Sequence, residues 1–116
     1  MTIQRFETGP RMSQAVVHGN TVYLAGIVAN KTAGDSVTKQ TQDILATIDS
    51  HLAKAGTDKS KLLSATIYIT DMKTFGEMNA VWDAWVSPGN TPARATVEAK
   101  LAAAQYTVEI MVTAAK

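Results

Sequence analysis

The chain has 116 residues, a hydrophobic fraction of 46%, a formal net charge of +1 and no cysteine. That length suits one domain, 1–116, able to bury a core of its own. The apolar content excludes a disordered chain, and the missing thiols exclude disulfides, cysteine nucleophiles and thiolate metal sites. Lysine and arginine are scattered, so no basic face for nucleic acid is expected. No apolar run approaches a membrane span, and the polar start Thr2-Ile3-Gln4-Arg5 is unlike a secretion signal. A cytoplasmic location is expected.

Thr2–Phe6 is a candidate short strand, closed by Gly9-Pro10. Ser13–His18 and Thr21–Val28 are β-prone runs joined by Gly19-Asn20, a two-residue link that tolerates positive φ and reads as a hairpin. Gly26 interrupts the second run and predicts a bulge or a close backbone approach. Between about Ser36 and Ala55, the apolar residues Val37, Ile44, Leu45, Ile48 and Leu52 keep a helical period, and Gly56 is a natural stop. Lys61–Thr70 alternates as a strand, with Leu63, Ala65, Ile67 and Ile69 on one face and Leu62, Ser64, Thr66 and Tyr68 on the other. Asp71 or Thr74 caps a second helix with a stripe of Phe75, Met78, Trp82 and Trp85 or Val86.

Two strands close the chain. Pro92 biases Thr91 towards an extended conformation, and from Arg94 the residues alternate. Ala95, Val97 and Ala99 take one face, with Arg94, Thr96 and Glu98 away from that apolar side. In Thr107–Ala114, Glu109 faces away from Val108, Ile110 and Val112. The predicted order is strand, strand, strand, helix, strand, helix, strand, strand. It describes an α+β domain: a mixed sheet of about six strands with two helices packed on one face. The other face, carrying Leu62, Tyr68 and Met111, suits contact with copies of the same chain.

The candidate chemistry is sparse. His18 and His51 read as surface or boundary residues, with no second ligand at metal spacing, so no metal is expected. Arg94 is ordinarily an isolated surface arginine. Held at a strand mouth behind a proline, its fork of donors equally matches a carboxylate. Glu109 is open to three readings: an ion partner for Arg94, a solvated strand residue, or a group that positions a water.

The combined pattern resembles the Rid (reactive intermediate deaminase, YjgF-like) family along essentially the whole chain, nearest a YoaB-type branch. The resemblance rests on Gly19-Asn20-Thr21-Val22-Tyr23-Leu24-Ala25-Gly26, Ala65–Met72, Met78-Asn79-Ala80-Val81-Trp82 and above all Pro92-Ala93-Arg94-Ala95-Thr96-Val97-Glu98. It implies a chorismate-mutase-like fold and a homotrimer with sheets facing inward and clefts between subunits. It further implies that Arg94 holds the carboxylate of a 2-imino or 2-enamino acid and that Glu109 orients the attacking water. Met12, Ala25, Gly26 and Ile27 fall at substrate-binding positions, and no cofactor is expected. This chain departs from the family pattern at Arg11-Met12, where a tyrosine usually follows Gly-Pro. It departs again at Ala25-Gly26-Ile27, where Ser-Gly-Gln is usual. The alternative is therefore a non-catalytic trimer that binds small carboxylates such as 2-keto acids as a sensor or regulator. An RNA-acting role is the weakest, given the nearly neutral charge.

Overall fold

A computed structural model describes residues 2–116. Strands β1 (Ile3–Thr8) and β2 (Ser13–His18) form an antiparallel hairpin, and β2 turns through Gly19, at φ 62°, into β3 (Thr21–Leu24). After a break at Ala25-Gly26 comes the short β4 (Ile27–Val28), then helix α1 (Val37–Lys54). A 3₁₀ turn at Lys59–Lys61 leads into β5 (Leu62–Ile69), and another at Met72–Thr74 leads into helix α2 (Phe75–Trp85). Strands β6 (Ala93–Glu98) and β7 (Val108–Ala115) complete one seven-stranded sheet.

The sheet order is β1-β2-β3-β7-β5-β6, with β4 also paired to β7. All pairings are antiparallel except β5–β6. The expected third strand is thus two strands on the same neighbour, which raises the count from about six to seven. Both helices cover one face. Val22, Leu24, Ile67, Ile69, Ile110 and Val112 of the sheet pack there against Ile44, Leu45, Ile48 and Leu52 of α1, and all are buried. Ser36 caps α1 by accepting a hydrogen bond from Lys39 N at 3.2 Å. No helix is long and apolar enough to cross a membrane.

Two details differ from the simple alternation. The register of β5 against β7 shifts between Leu62 and Ser64, so Leu62 turns inward and is buried while Leu63 is 50% exposed. The extra residue of a bulge inverts the face of everything before it, the reverse of the expected order. In β6 the alternation holds but its sign is inverted. Ala95 and Val97 lie on the open face, while Arg94 and Thr96 turn half-buried towards the helices, because Arg94 pairs with buried Ala65 and Thr96 with buried Ile67.

Gln40 ties the helix layer to the loop before β7. Its amide is fully buried, donating to Asp35 O and Gln105 O at 3.0 Å each and accepting from Thr107 N at 3.0 Å. Removing it strands Asp35 O and Thr107 N, while Gln105 O keeps its bond from Gly34 N, and an unmet buried polar group costs about 1–3 kcal/mol. Gln40→Ala is therefore expected to lose about 2–4 kcal/mol in urea unfolding. Asp58 accepts from Ser60, first through the side-chain hydroxyl and then through the backbone, and Lys61 adds a smaller attraction; together these hold its carboxyl below the ordinary 3.8. Its contribution is present above the ordinary value and is lost as pH falls through the depressed one. An NMR titration is expected to place the Asp58 midpoint below 3.8 and to return it towards 3.8 in Ser60→Ala.

Candidate functional site

Glu109 lies on β7, on the open face, in the row shared with Tyr68 of β5 and Val97 of β6. Beside it runs the two-residue β4, whose last residue Val28 lies opposite Glu109. At the break between β3 and β4 the Glu109 carboxylate occupies the space a side chain at residue 26 would need. A Cβ built on Gly26 would lie 3.0 Å from Glu109 Cδ and overlap Oε2. The close backbone approach expected at Gly26 is therefore to this carboxylate. Ala25 N donates to Gln14 O at 2.9 Å, so that amide is already engaged. Met12, Gly26 and Ile27 come together on the wall of a cavity of about 420 Å³. Met12 is exposed and Ile27 buried.

Arg94 lies elsewhere. It lies at the start of β6, one residue after Ala93 and behind Pro92, and its guanidinium carbon stands 5.4 Å from the Trp82 ring centre and 5.9 Å from that of Phe75. Such stacking attracts a cation and restricts the side chain. Among the described residues Arg94 forms no salt bridge. The same side of α2 presents Asn79, one turn after Phe75, and the same face of β6 presents Thr96. The side-chain oxygens Asn79 Oδ1 and Thr96 Oγ1 are buried without a partner. Unmet buried polar atoms are uncommon and mark this layer as unusual. Sequence reasoning passed over Asn79; an amide in the apolar stripe, four residues after Phe75, was the available signal.

Arg94 and Glu109 therefore do not meet within one subunit. They occupy opposite faces of the sheet, two strands apart and three rows apart in register. That is roughly 10 Å in each direction at ordinary strand spacing. Glu109 is accordingly not the ion partner of Arg94 in its own chain. Of the two histidines, His18 is exposed, while His51 is half-buried and paired with Glu7. Trp82 is core and Trp85 core edge, its Nε1 donating to Asp49 Oδ2 at 3.0 Å. Among the described residues no group of three His, Asp or Glu side chains is arranged to hold a metal. A groove of about 510 Å³ between α1 and α2 is lined by neither Arg94 nor Glu109.

A mixed sheet with two helices on one face and a proline-led arginine held against the second helix describe the class. The family described as Endoribonuclease L-PSP matches residues 2–116, and the chain belongs to this Rid/YjgF family. RutC family protein YoaB of Escherichia coli is 44% identical over 115 residues, covering 99% of each chain. A crystal structure of a YjgF-family protein of Neisseria meningitidis is 48% identical with a TM-score of 0.96, covering 100% of this chain and 96% of that one. The chloroplastic Reactive Intermediate Deaminase A of Arabidopsis thaliana is 30% identical over 91 residues, covering 74% of this chain and 48% of that protein.

The Gly26–Glu109 contact yields a direct test. Gly26→Ala pushes against the end of a side chain rather than against backbone, so the carboxylate swings aside and the fold persists. Gly26→Ala is expected to melt within a few degrees of wild type and to lose turnover to the same degree as Glu109→Ala.

Proposed function

We propose that the protein hydrolyses reactive 2-imino and 2-enamino acids to 2-keto acids and ammonia at clefts between subunits. The observation that carries this reading is the guanidinium of Arg94, held by two aromatic rings and free of any carboxylate among the described residues. Such a group is matched bidentately by the carboxylate of a small acid. The family, and the relative named as a reactive intermediate deaminase, point the same way.

The chemistry asks little of the protein. Arg94 fixes the substrate carboxylate and so sets the adjacent C=N carbon at a defined place. Glu109 orients a water and takes its proton as oxygen bonds to that carbon. That proton passes to nitrogen, the new hydroxyl gives up its own proton to nitrogen as the carbonyl forms, and the C–N bond breaks to release ammonia. Since one subunit keeps Arg94 and Glu109 on opposite faces, the reading requires a second copy to complete each cleft. The open face supports this requirement, with Tyr23, Val97 and Met111 each more than 40% exposed in the single chain. Copies of the chain closing a ring, as in a homotrimer with sheets inward, would cover them.

A second reading, a carboxylate-binding trimer without turnover, is favoured by Met12 and Ile27, apolar where the family usually places polar groups. The two readings separate in one assay. Ammonia release is followed from an imine made in situ by an amino-acid oxidase, with oligomeric state checked by light scattering. Wild type is expected to accelerate release, and Arg94→Ala to abolish the acceleration with assembly and fold intact. Glu109→Ala is expected to retain binding of the 2-keto acid while losing at least tenfold in rate, within the usual range for a proton-transfer group. Binding of 2-keto acids without any acceleration would replace the deaminase by the carboxylate sensor.

A further inference from the structure

Strand β6 is an edge strand, paired to β5 alone. Its helix-facing row is Arg94, Thr96 and Glu98, since Glu98 pairs with buried Ile69 as Arg94 does with buried Ala65. Arg94 meets helix α2 through the rings of Phe75 and Trp82. At the far end of the same row, Glu98 Oε1 accepts a hydrogen bond from Met72 N at 2.8 Å. Among the described residues this is the only hydrogen bond between a β6 side chain and residues 71–86.

The segment that Glu98 grips leads directly to one of the two rings. Met72–Thr74 is a 3₁₀ turn, and Phe75 follows it as the first residue of α2. Asp71 holds the turn from within. Its carboxylate accepts from Lys73 N at 2.9 Å and its carbonyl from Thr74 Oγ1 at 2.7 Å. Thr74 makes no side-chain cap bond to α2, so the helix start takes its position from the turn before it. Elsewhere the polar ties of α2 run to α1. Glu77 Oε1 accepts from Thr38 N at 3.1 Å, and Trp85 Nε1 donates to Asp49 Oδ2. Glu98 is thus the polar link that registers the start of α2 against the strand carrying Arg94. Glu98 is exposed, and a surface contact of this kind contributes little to global stability. Its effect is geometric.

We propose that Glu98 is a positioning residue for the carboxylate site: by holding Met72 it sets Phe75 against the Arg94 guanidinium and so aims the arginine's donors at the ligand. The inference rests on the reading of Arg94 as the carboxylate anchor, and on no step of turnover. A guanidinium flanked by two rings is confined. With one ring displaced it samples more rotamers, and a bidentate bond must first recover that lost order.

The test is calorimetric binding of 2-oxobutanoate to wild type and to four variants, with melting curves to verify each fold. Glu98→Ala is expected to weaken binding about fivefold while melting within a few degrees of wild type. Glu98→Gln keeps an acceptor for Met72 N and is expected to bind within about twofold of wild type. Phe75→Leu is expected to weaken binding to a similar degree as Glu98→Ala. Combining Phe75→Leu with Glu98→Ala is expected to cost no more than the worse single change, because both act through one ring contact. Wild-type affinity in Glu98→Ala, an equal loss in Glu98→Gln, or losses that multiply in the double variant overturn the role of Glu98 and leave the anchor untouched. Should Phe75→Leu fail to fold, the contrast between Glu98→Ala and Glu98→Gln still decides. If wild type binds no keto acid, or binding ignores Arg94→Ala, the anchor itself is wrong and this inference falls with it.

Discussion

The bare Cα of Gly26 is the constraint on which the candidate site depends. A carboxylate on a central strand ordinarily points into solvent and is free to move. Here β3 and β4 both pair with β7, and the chain between them must pass close to Glu109. A residue without a side chain lets the chain pass with the Glu109 carboxylate resting against its backbone. The missing side chain at Gly26 gives the carboxylate its place, and the same glycine lines the neighbouring cavity.

The two faces of the sheet serve different ends. The helix-covered face is a dry aliphatic layer, and Gln40 ties its helix to the following loop with a fully paired buried amide. Burying that amide is tolerable because each of its polar atoms finds a backbone partner. Arg94 enters the same layer from the sheet edge, where aromatic rings rather than carboxylates receive it. A carboxylate partner inside the chain would have neutralised the arginine and blocked an incoming anion. Rings restrict the side chain and leave its donors available. The open face leaves Tyr23, Val97 and Met111 exposed in the single chain.

What the sequence displayed was governed by local physics. The Gly19-Asn20 hairpin, the first helix with its stop at Gly56 and the interruption at Gly26 all follow from backbone freedom and periodicity a few residues wide. Arg94 and Glu109 were legible as candidates because each sits in an alternating run, and the chain's family likeness gave them roles. Alternation, however, reports a period and not its sign. Which side of β6 turns inward is decided by its register with β5, and the fate of Leu62 by a bulge that one strand's pattern does not reveal. The His51–Glu7 pair joins residues far apart in the chain through the curl of the β1–β2 hairpin towards α1. No spacing rule links them. Gln40 was hidden for the same reason, since its partners lie in a loop without periodic character.

The placement of Arg94 and Glu109 on opposite faces has a consequence for mixtures of subunits. Under the proposed assembly every cleft borrows its arginine from one subunit and its glutamate from the next. Two inactive proteins, one lacking the arginine and the other lacking the glutamate, then restore an intact cleft when they assemble into the same ring. Conversely, a subunit lacking both residues spoils each cleft it borders, including those shared with sound neighbours. A damaged copy of the gene would be dominant over a good one, and heredity rather than enzymology would register the geometry of the sheet.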